Sequence, residues 1–244
     1  MSVIERRSRP AGLLLVLVVS LWAGAAAAAD ATFFSGAEFD TQGQGFSFVA
    51  GDLTQKIQSH LGLTVRLMPN YLTYKYRSDG ELVHASSPGG YLLAGVKLFL
   101  GETTVSLFGG ADVRHTDLSP DVRSAAVRGD SVAPMAQGEL DTWLPSRTNL
   151  NLFSSFSATD DFLYLQATAK QQVTNLDFAG PNTLNVGVQV IHGSNENFES
   201  HAVGLVLELY RIPASLSLSV RAGWKHDSTF GTGAYGGIGL SVGF

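Results

Sequence analysis

The stretch that decides the fold is the last one, residues 236–244, which read GGIGLSVGF. Its large apolar side chains fall at every second position, at Ile238, Leu240, Val242 and Phe244. Alternate residues of an extended strand point to opposite faces, whereas a helix would place its apolar residues three and four apart. The segment therefore predicts a β-strand with one apolar face and one small or polar face.

The same alternation recurs along most of the chain. In residues 215–225 the apolar side chains of Leu216, Leu218, Val220 and Trp224 alternate with serine, arginine, glycine and lysine. Further alternating segments lie near residues 92–100, 105–113, 136–144, 163–170, 184–190 and 203–209, with weaker ones at 33–40 and 45–53. We predict an all-β fold: an antiparallel, transmembrane, up-and-down β-barrel of about twelve strands, with ten as the alternative count.

Three features favour a membrane barrel over a soluble sandwich. Several segments are about ten residues long, which is the length of a tilted spanning strand. Their polar faces carry glycine and charges of both signs, as a barrel interior can. The connections alternate between short turns at 101–102, 145–148 and 211–214 and longer polar loops at 115–131 and 192–200. Residues 171–183 break this rule, and we expect a partial strand or a short helix there.

Both ends of the chain point to export. Arg6, Arg7 and Arg9 precede an apolar run at 12–24 and a series of alanines ending at Ala29. This order is typical of a cleaved secretory signal peptide, and the run is shorter than the roughly twenty residues of a spanning helix. We predict a signal peptide at 1–29 and an outer-membrane β-barrel at 30–244, in a Gram-negative bacterium. Bacterial outer-membrane proteins end in a strand of this kind, so Ile238, Leu240, Val242 and Phe244 are the expected signal for the barrel assembly machinery.

Composition narrows the remaining classes. The chain has no cysteine, only 15% charged residues and a net charge of −5, and removing the leader would make it more acidic still. Such a chain is not a nucleic-acid binder, and we expect no cofactor and no metal. The predicted lumen carries the charges Arg66, Lys97, Asp112, Arg114, Glu139, Asp141, Lys170, Glu208, Arg221 and Lys225. Such charges can pair and plug the barrel, or they can line a small porin or solute channel.

Aromatic residues and one proline suggest local features. Pro69 cannot donate a ladder hydrogen bond, so a change of phase with a bulge or the membrane rim is expected there. Tyr71, Tyr74, Tyr76 and Tyr91 would then belong to an interfacial aromatic girdle. Side chains that could stack on sugar rings are those of Trp143, Tyr164 and Trp224, although a place in the girdle is the commoner use of such residues.

The longest predicted loop carries a family resemblance. Residues 114–143 read RHTDLSPDVRSAAVRGDSVAPMAQGELDTW and resemble the BcsS family of bacterial cellulose biosynthesis proteins. The matching positions are His115, Asp117, Leu118, Ser119, Pro120, Asp121, Arg128 and Gly129. Further matches occur at Tyr164, at 193–204 and at 223–240, but the family more often has arginine near His226 and a second acid near Ser228.

This resemblance implies a function. It suggests a non-enzymatic accessory of cellulose biosynthesis or export, in contact with outer-membrane lipid and with the cellulose synthase and export complex or the glucan chain. Aspartates of the same loop, at Asp117, Asp121 and Asp130, offer carboxylates of the kind that calcium prefers, but their spacing matches no EF-hand and a solvated loop is the commoner use.

A second resemblance concerns residues 192–195, which read HGSN. Outer-membrane lipid A deacylases of the PagL type use a His-x-Ser-Asn element. On a strand, His192 and Ser194 would share a face, which permits a base and a nucleophile to meet. The third member of such a site would be Glu196, Glu199 or Glu208, whereas the alternative is an ordinary polar loop.

Overall fold

The computed structural model describes residues 29–78, 80–122, 125, 127–177 and 180–244, so most of the predicted leader, residues 1–28, lies outside the described residues. Twelve strands run through the described part of the chain. They are β1 Ala29–Asp40, β2 Gly45–Gln58, β3 Leu61–Ser78, β4 Glu81–Leu100, β5 Thr103–Ser119, β6 Gly129–Trp143, β7 Thr148–Ser157, β8 Phe162–Asp177, β9 Pro181–Asn195, β10 Phe198–Arg211, β11 Leu216–Asp227 and β12 Gly231–Gly243. A short 3₁₀ helix, Ile212–Ala214, joins β10 to β11.

The strands close into a barrel in simple up-and-down order. Each strand pairs antiparallel with its neighbours in sequence, and β1 pairs with β12, for example Glu38 with Gly237. Closure leaves no sheet edge, so the backbone N–H and C=O groups of each strand find partners between strands rather than in solvent. The predicted twelve-stranded antiparallel barrel is confirmed.

The outer surface of the barrel is apolar over its middle. Outward-facing side chains that are more than a third exposed include those of Leu63, Val65, Leu92, Leu107, Leu152, Val188, Val203, Leu205, Val220 and Ile238. A soluble protein rarely exposes a continuous apolar band of this size, whereas the wall of a barrel that contacts lipid requires one. We call this apolar surface the belt. Closed strand pairing together with the belt indicates a β-barrel that spans a membrane. Among the described residues no helix is long and apolar enough to cross one.

The start of β1 and the end of β12 lie at one end of the barrel, which we call the terminal end; we call the other the loop end. Phe244 donates its N–H to the Ala31 carbonyl at 2.8 Å there. Ile238 and Leu240 face outward in β12, as the alternation predicts. The strands β3, β4 and β5 contain 18, 20 and 17 residues, well beyond the length that a spanning strand needs, and they extend past the belt at the loop end.

Several predicted connections are shorter than expected. Strands β9 and β10 meet in a turn at 196–197, so the predicted loop at 192–200 is wrong. The connection between β5 and β6 is confined to 120–128, because His115 and its neighbours continue the strand. Residues 171–177 and 181–183 form the ends of β8 and β9, with a register shift between Gln172 and Thr174, so the strand alternative for this segment is confirmed.

The predicted phase change and the bulge at Pro69 are also wrong, whereas the alternative that Pro69 marks the membrane rim stays a prediction. Side chains at even positions of β3 face inward throughout, and Pro69 lies opposite Gly90 without a bulge. The predicted tyrosine girdle is reduced to Tyr71, which faces outward. Tyr91 is buried inside the barrel, and the rings of Tyr74 and Tyr76 stack on each other inside the loop end.

Candidate functional site

The lumen on the side of β1 to β6 is filled by side chains. Its buried apolar residues are Ala50, Met68, Tyr91, Leu93, Phe108 and Met135, with Phe34, Phe46 and Phe48 packed against them. An open pore would leave inward-facing residues in contact with water, yet Leu93 is only 1% exposed. On the opposite side, Ile191, Ala202 and Tyr235 form a second buried cluster with Tyr164 packed against it.

Arg66 ties these walls together across the lumen, and we call its contacts the Arg66 cluster. It donates from Nε and Nη2 to the two carboxylate oxygens of Asp52 at 2.7 and 2.8 Å, and from Nη1 to Gln137 at 2.9 Å. It also forms an ion pair with Glu139 on β6, three strands away from β3. Lys97 donates a further hydrogen bond to Asp52 at 3.2 Å. The rings of Phe34 and Phe108 lie 4.9 and 4.3 Å from the guanidinium carbon. Two cations and two carboxylates thus balance in the lumen, with Arg66 and Asp52 each only 3% exposed.

A second polar network lies nearer the loop end, around the fully buried Asp112. Its carboxylate accepts hydrogen bonds from Arg114 at 2.5 and 3.1 Å, from Ser157 at 2.6 Å and from Thr159 at 3.2 Å. Arg114 also donates to the Tyr91 hydroxyl at 3.3 Å. Burial raises the pKa of the neighbouring Asp160 carboxyl in the turn after β7. The network fixes this turn over the mouth of the barrel.

The other predicted lumen charges also face inward. Lys170 donates to Glu208 at 2.7 Å, and Arg221 lies 3.5 Å from Glu38. Lys225 donates to Asp40 at 2.8 Å. Asp141 accepts from Asn149 at 3.1 Å. Each predicted cation of the lumen therefore lies beside a carboxylate, which is the arrangement of a plug rather than of a one-sign pore lining.

The family loop motif forms an ion-paired edge at the loop end. His115 contacts Asp130 through Nδ1 at 2.7 Å and Asp117 through Nε2 at 3.3 Å, and the hydrogen bond to Asp130 is the main reason that its pKa is raised. Arg128 donates hydrogen bonds from Nε and Nη2 to the two carboxylate oxygens of Asp121, at 2.6 and 2.7 Å. Asp121 pairs with Arg128, and Asp117 and Asp130 both contact His115. All three aspartates therefore take part in ionic contacts in this arrangement.

The residues around that motif complete the edge. The Ser119–Pro120 bond is cis, and Gly129 has φ +71°, a left-handed conformation that favours glycine, where the chain enters β6. Leu118 is the neighbour of Ser119 at the end of β5. The motif thus joins two strand ends beyond the apolar belt, where a partner outside the membrane could reach it.

The second candidate site lies on the outer wall, not in the lumen. His192 and Ser194 face outward from β9, just beyond the last outward-facing apolar residue of that strand, Val190. His192 Nε2 lies 3.1 Å from Ser194 Oγ, and His192 Nδ1 lies 3.2 Å from Nδ1 of His201 on β10. His201 Nε2 lies 3.1 Å from Glu199 Oε1. The four side chains, which we call the outer relay, form one hydrogen-bonded chain at the polar boundary of the belt.

Sequence reasoning named His192 and Ser194, gave Glu199 as one of three candidate acids, and missed His201. Of the three predicted acids, Glu208 faces the lumen and binds Lys170, and Glu196 lies in the turn. Glu199 takes part, but only through His201, which the sequence separates from His192 by a hairpin. The signal that could have found His201 is the register of β9 with β10, where it lies directly opposite His192.

The lumen holds a comparable omission. Asp52 accepts two hydrogen bonds from Arg66, yet the alternation of β2 did not suggest it, because Phe46, Phe48 and Ala50 on the same face are apolar. The predicted sugar-stacking residues are dispersed. Trp224 faces outward at the edge of the belt with 68% exposure, Trp143 ends β6 at the terminal end, and Tyr164 packs inside against Phe153.

Solved structures with a similar fold are membrane barrels of very different sequence. One is the β domain of the Bordetella autotransporter BrkA, at 11% identity and TM-score 0.47, covering 88% of this chain and 98% of that one. Another is the KdgM porin, at 6% identity and TM-score 0.42, covering 87% and 99%. Likeness at this level carries no functional argument. No curated protein matches the sequence significantly.

The sequence itself matches one family over nearly its whole length. The model of the family described as cellulose biosynthesis protein BcsS matches residues 20–244, which include every strand of the barrel and the ion-paired edge at 115–129. The chain therefore belongs to the BcsS family of cellulose biosynthesis proteins.

Proposed function

We propose that this chain is an outer-membrane barrel that assists cellulose biosynthesis or export through contacts made at its ends, with a closed lumen. The family match over residues 20–244 is the observation that carries this proposal. The apolar belt and the exposed final strand with Phe244 support insertion into the outer membrane by the barrel assembly machinery after removal of the leader.

The filled lumen favours a role by contact over a role as a solute channel. The Arg66 cluster links β3 to β6 through the pair of Arg66 with Glu139, and the aromatic rings of Phe34 and Phe108 lie against the guanidinium group. A glucan chain would have to displace these groups to pass. The ion-paired edge at the loop end, beyond the belt, is the surface we assign to a partner of the cellulose synthase and export complex or to the glucan itself.

Deletion of the gene is expected to lower surface cellulose. The measurement is dye binding together with glucose released by cellulase from intact cells, under conditions in which the synthase is active. A complemented strain should regain the wild-type amount, and a strain carrying Asp121→Ala and Arg128→Ala should regain less, because the pair that braces the edge is gone. Unchanged surface cellulose in the deletion strain would remove the proposal.

A second candidate function, hydrolysis of a carboxylic ester at the membrane surface, is favoured by the outer relay alone. Its hydrogen bonds are consistent with Ser194 O–H donating to His192 Nε2, His192 Nδ1–H donating to His201 Nδ1, and His201 Nε2–H donating to Glu199. In that state His192 can take the serine proton while Ser194 Oγ attacks the carbonyl. His192 then returns the proton to the leaving alcohol, and water releases the acyl group. Ester groups of lipids lie at the depth where the belt ends.

Ser194→Ala is expected to abolish any ester hydrolysis by the purified barrel, with a loss of about a thousandfold or more, because the nucleophile is removed. The measurement is acyl release from a p-nitrophenyl ester in mixed micelles and the lipid A mass of an overproducing strain. Ser154→Ala, an outward serine on β7, is the matched control and should leave the rate unchanged. Wild-type protein without measurable hydrolysis of either substrate would eliminate this candidate.

A further inference from the structure

The outer wall carries a cross-strand histidine pair with an unusual contact. His192 on β9 and His201 on β10 lie directly opposite each other, with ring centroids 4.8 Å apart and Nδ1 atoms 3.2 Å apart. Both side chains point away from the lumen, and the His201 side chain is 60% exposed. Two imidazole nitrogens therefore converge on one point that solvent can reach.

The other nitrogen of each ring already has an oxygen partner. The Glu199 carboxylate only accepts hydrogen bonds, so His201 Nε2 carries a proton, and the Nδ1 of the neutral ring is left with its lone pair. His192 Nε2 can donate in the same way to Ser194 Oγ. The two Nδ1 lone pairs then face each other at 3.2 Å, and this arrangement is stable only with a proton or a cation between them.

The distance fits a metal ion. Two imidazole nitrogens bound to one tetrahedral zinc ion at about 2.0–2.1 Å lie about 3.3 Å apart. A carboxylate that accepts the second N–H of a ligating histidine is the usual outer partner of such a site, and Glu199 holds that position on His201. Ligand atoms of His192, Glu199 and His201 all lie within 4.8 Å of one another.

We propose that His192 and His201 bind one divalent transition-metal ion of the zinc and copper class through their Nδ1 atoms. Imidazole donors favour these ions over calcium and magnesium, which prefer oxygen. Glu199 orients His201, Ser194 orients His192, and water fills the remaining positions on the exposed side. The ion takes the place of the proton between the two Nδ1 atoms, so a bound ion and an active relay exclude each other.

The chain supplies a matched control for this proposal. His226 on β11 is paired with His201 of β10 and also faces outward. It does not belong to the group of His192, Glu199 and His201, and its Nδ1 contacts the Thr232 hydroxyl at 3.0 Å. His115, in the ion-paired edge at the loop end, has a carboxylate as its partner and not a second imidazole. Binding that requires two imidazoles can thus be separated from binding by single surface histidines.

The test is a titration of the untagged, folded barrel in detergent with ZnCl₂, followed by calorimetry, and with CuCl₂, followed by electron paramagnetic resonance. We expect one tight ion per chain and a copper spectrum that reports two ligating nitrogens. His192→Ala and His201→Ala should each weaken binding about tenfold or more and leave one nitrogen in the spectrum. His226→Ala and Ser154→Ala, whose side chains lie outside the group formed by His192, Glu199 and His201, should bind like wild type.

The proposal is overturned if wild-type protein shows no saturable site, or if His226→Ala weakens binding as much as His201→Ala. It is also overturned if the copper spectrum of wild type reports a single nitrogen. The altered side chains face outward, so folding should persist, as judged by the mobility of unheated protein in gels. His201→Gln keeps a polar side chain without an imidazole and repeats the test if the alanine variant folds poorly.

Discussion

Arg66→Ala should lower the stability of the barrel by about 3–5 kcal/mol, because it leaves two carboxylates in the lumen without their main partner. Asp52 is 3% exposed and loses two hydrogen bonds to the Arg66 guanidinium. Glu139 on β6 loses its ion pair with Arg66 on β3. The rings of Phe34 and Phe108 lose their contact with the guanidinium group. The measurement is the urea midpoint of unfolding in lipid vesicles, followed by tryptophan fluorescence.

A matched control lies on the same strand. Arg77 is exposed near the loop end of β3, and Arg77→Ala should change the stability by no more than about 0.5 kcal/mol. Arg66→Lys keeps the charge but cannot form the paired contacts to Asp52, so it should fall between the two. Equal midpoints for Arg66→Ala and Arg77→Ala would show that the Arg66 cluster does not hold the lumen together.

The strands of this barrel were predictable because lipid imposes a regular apolar face on them. Beyond the apolar face, the sequence no longer predicts that the strands continue. His115, Asp117, His192 and Ser194 continue their strands beyond the belt, but their outward side chains are polar, so the sequence there resembles a loop. Pairing with the neighbouring strand, which the sequence does not display, holds these residues extended.

The interior was harder to predict than the exterior. In β2 the inward face begins with apolar residues and becomes polar only from Asp52 onward, so polarity alone does not identify the lumen side, and Asp52 was missed. Tyr235 illustrates a related limit. Its ring covers two glycines, Gly204 and Gly223, and a Cβ on Gly204 would lie 2.3 Å from the tyrosine hydroxyl. Contacts of this kind depend on register across strands, which local sequence does not reveal.

The wild-type barrel is expected to give no stable conductance steps in planar bilayers, whereas Phe34→Ala combined with Phe108→Ala should give them. A twelve-stranded barrel is wider than the eight-stranded type that side chains fill, so its closure depends on large groups that cross the lumen. The centroids of the two rings lie 4.9 and 4.3 Å from the Arg66 guanidinium carbon, and Phe108 is 5% exposed. Removing both rings admits water beside a charged cluster, and ions can follow.

The control for this experiment is Phe156→Ala, which removes an aromatic ring from the lipid-facing surface of β7, where it is 40% exposed. Because this ring lies outside the lumen, the variant should remain closed even if it is less stable. Steady conductance of porin size in wild type would mean that the packed interior yields to ions, and transport through the lumen would then replace contact at the ends as the basis of the barrel's part in cellulose production. A closed wild type that opens only when the two inner rings are removed would leave the ion-paired edge at the loop end and the terminal end as the places where a partner can act.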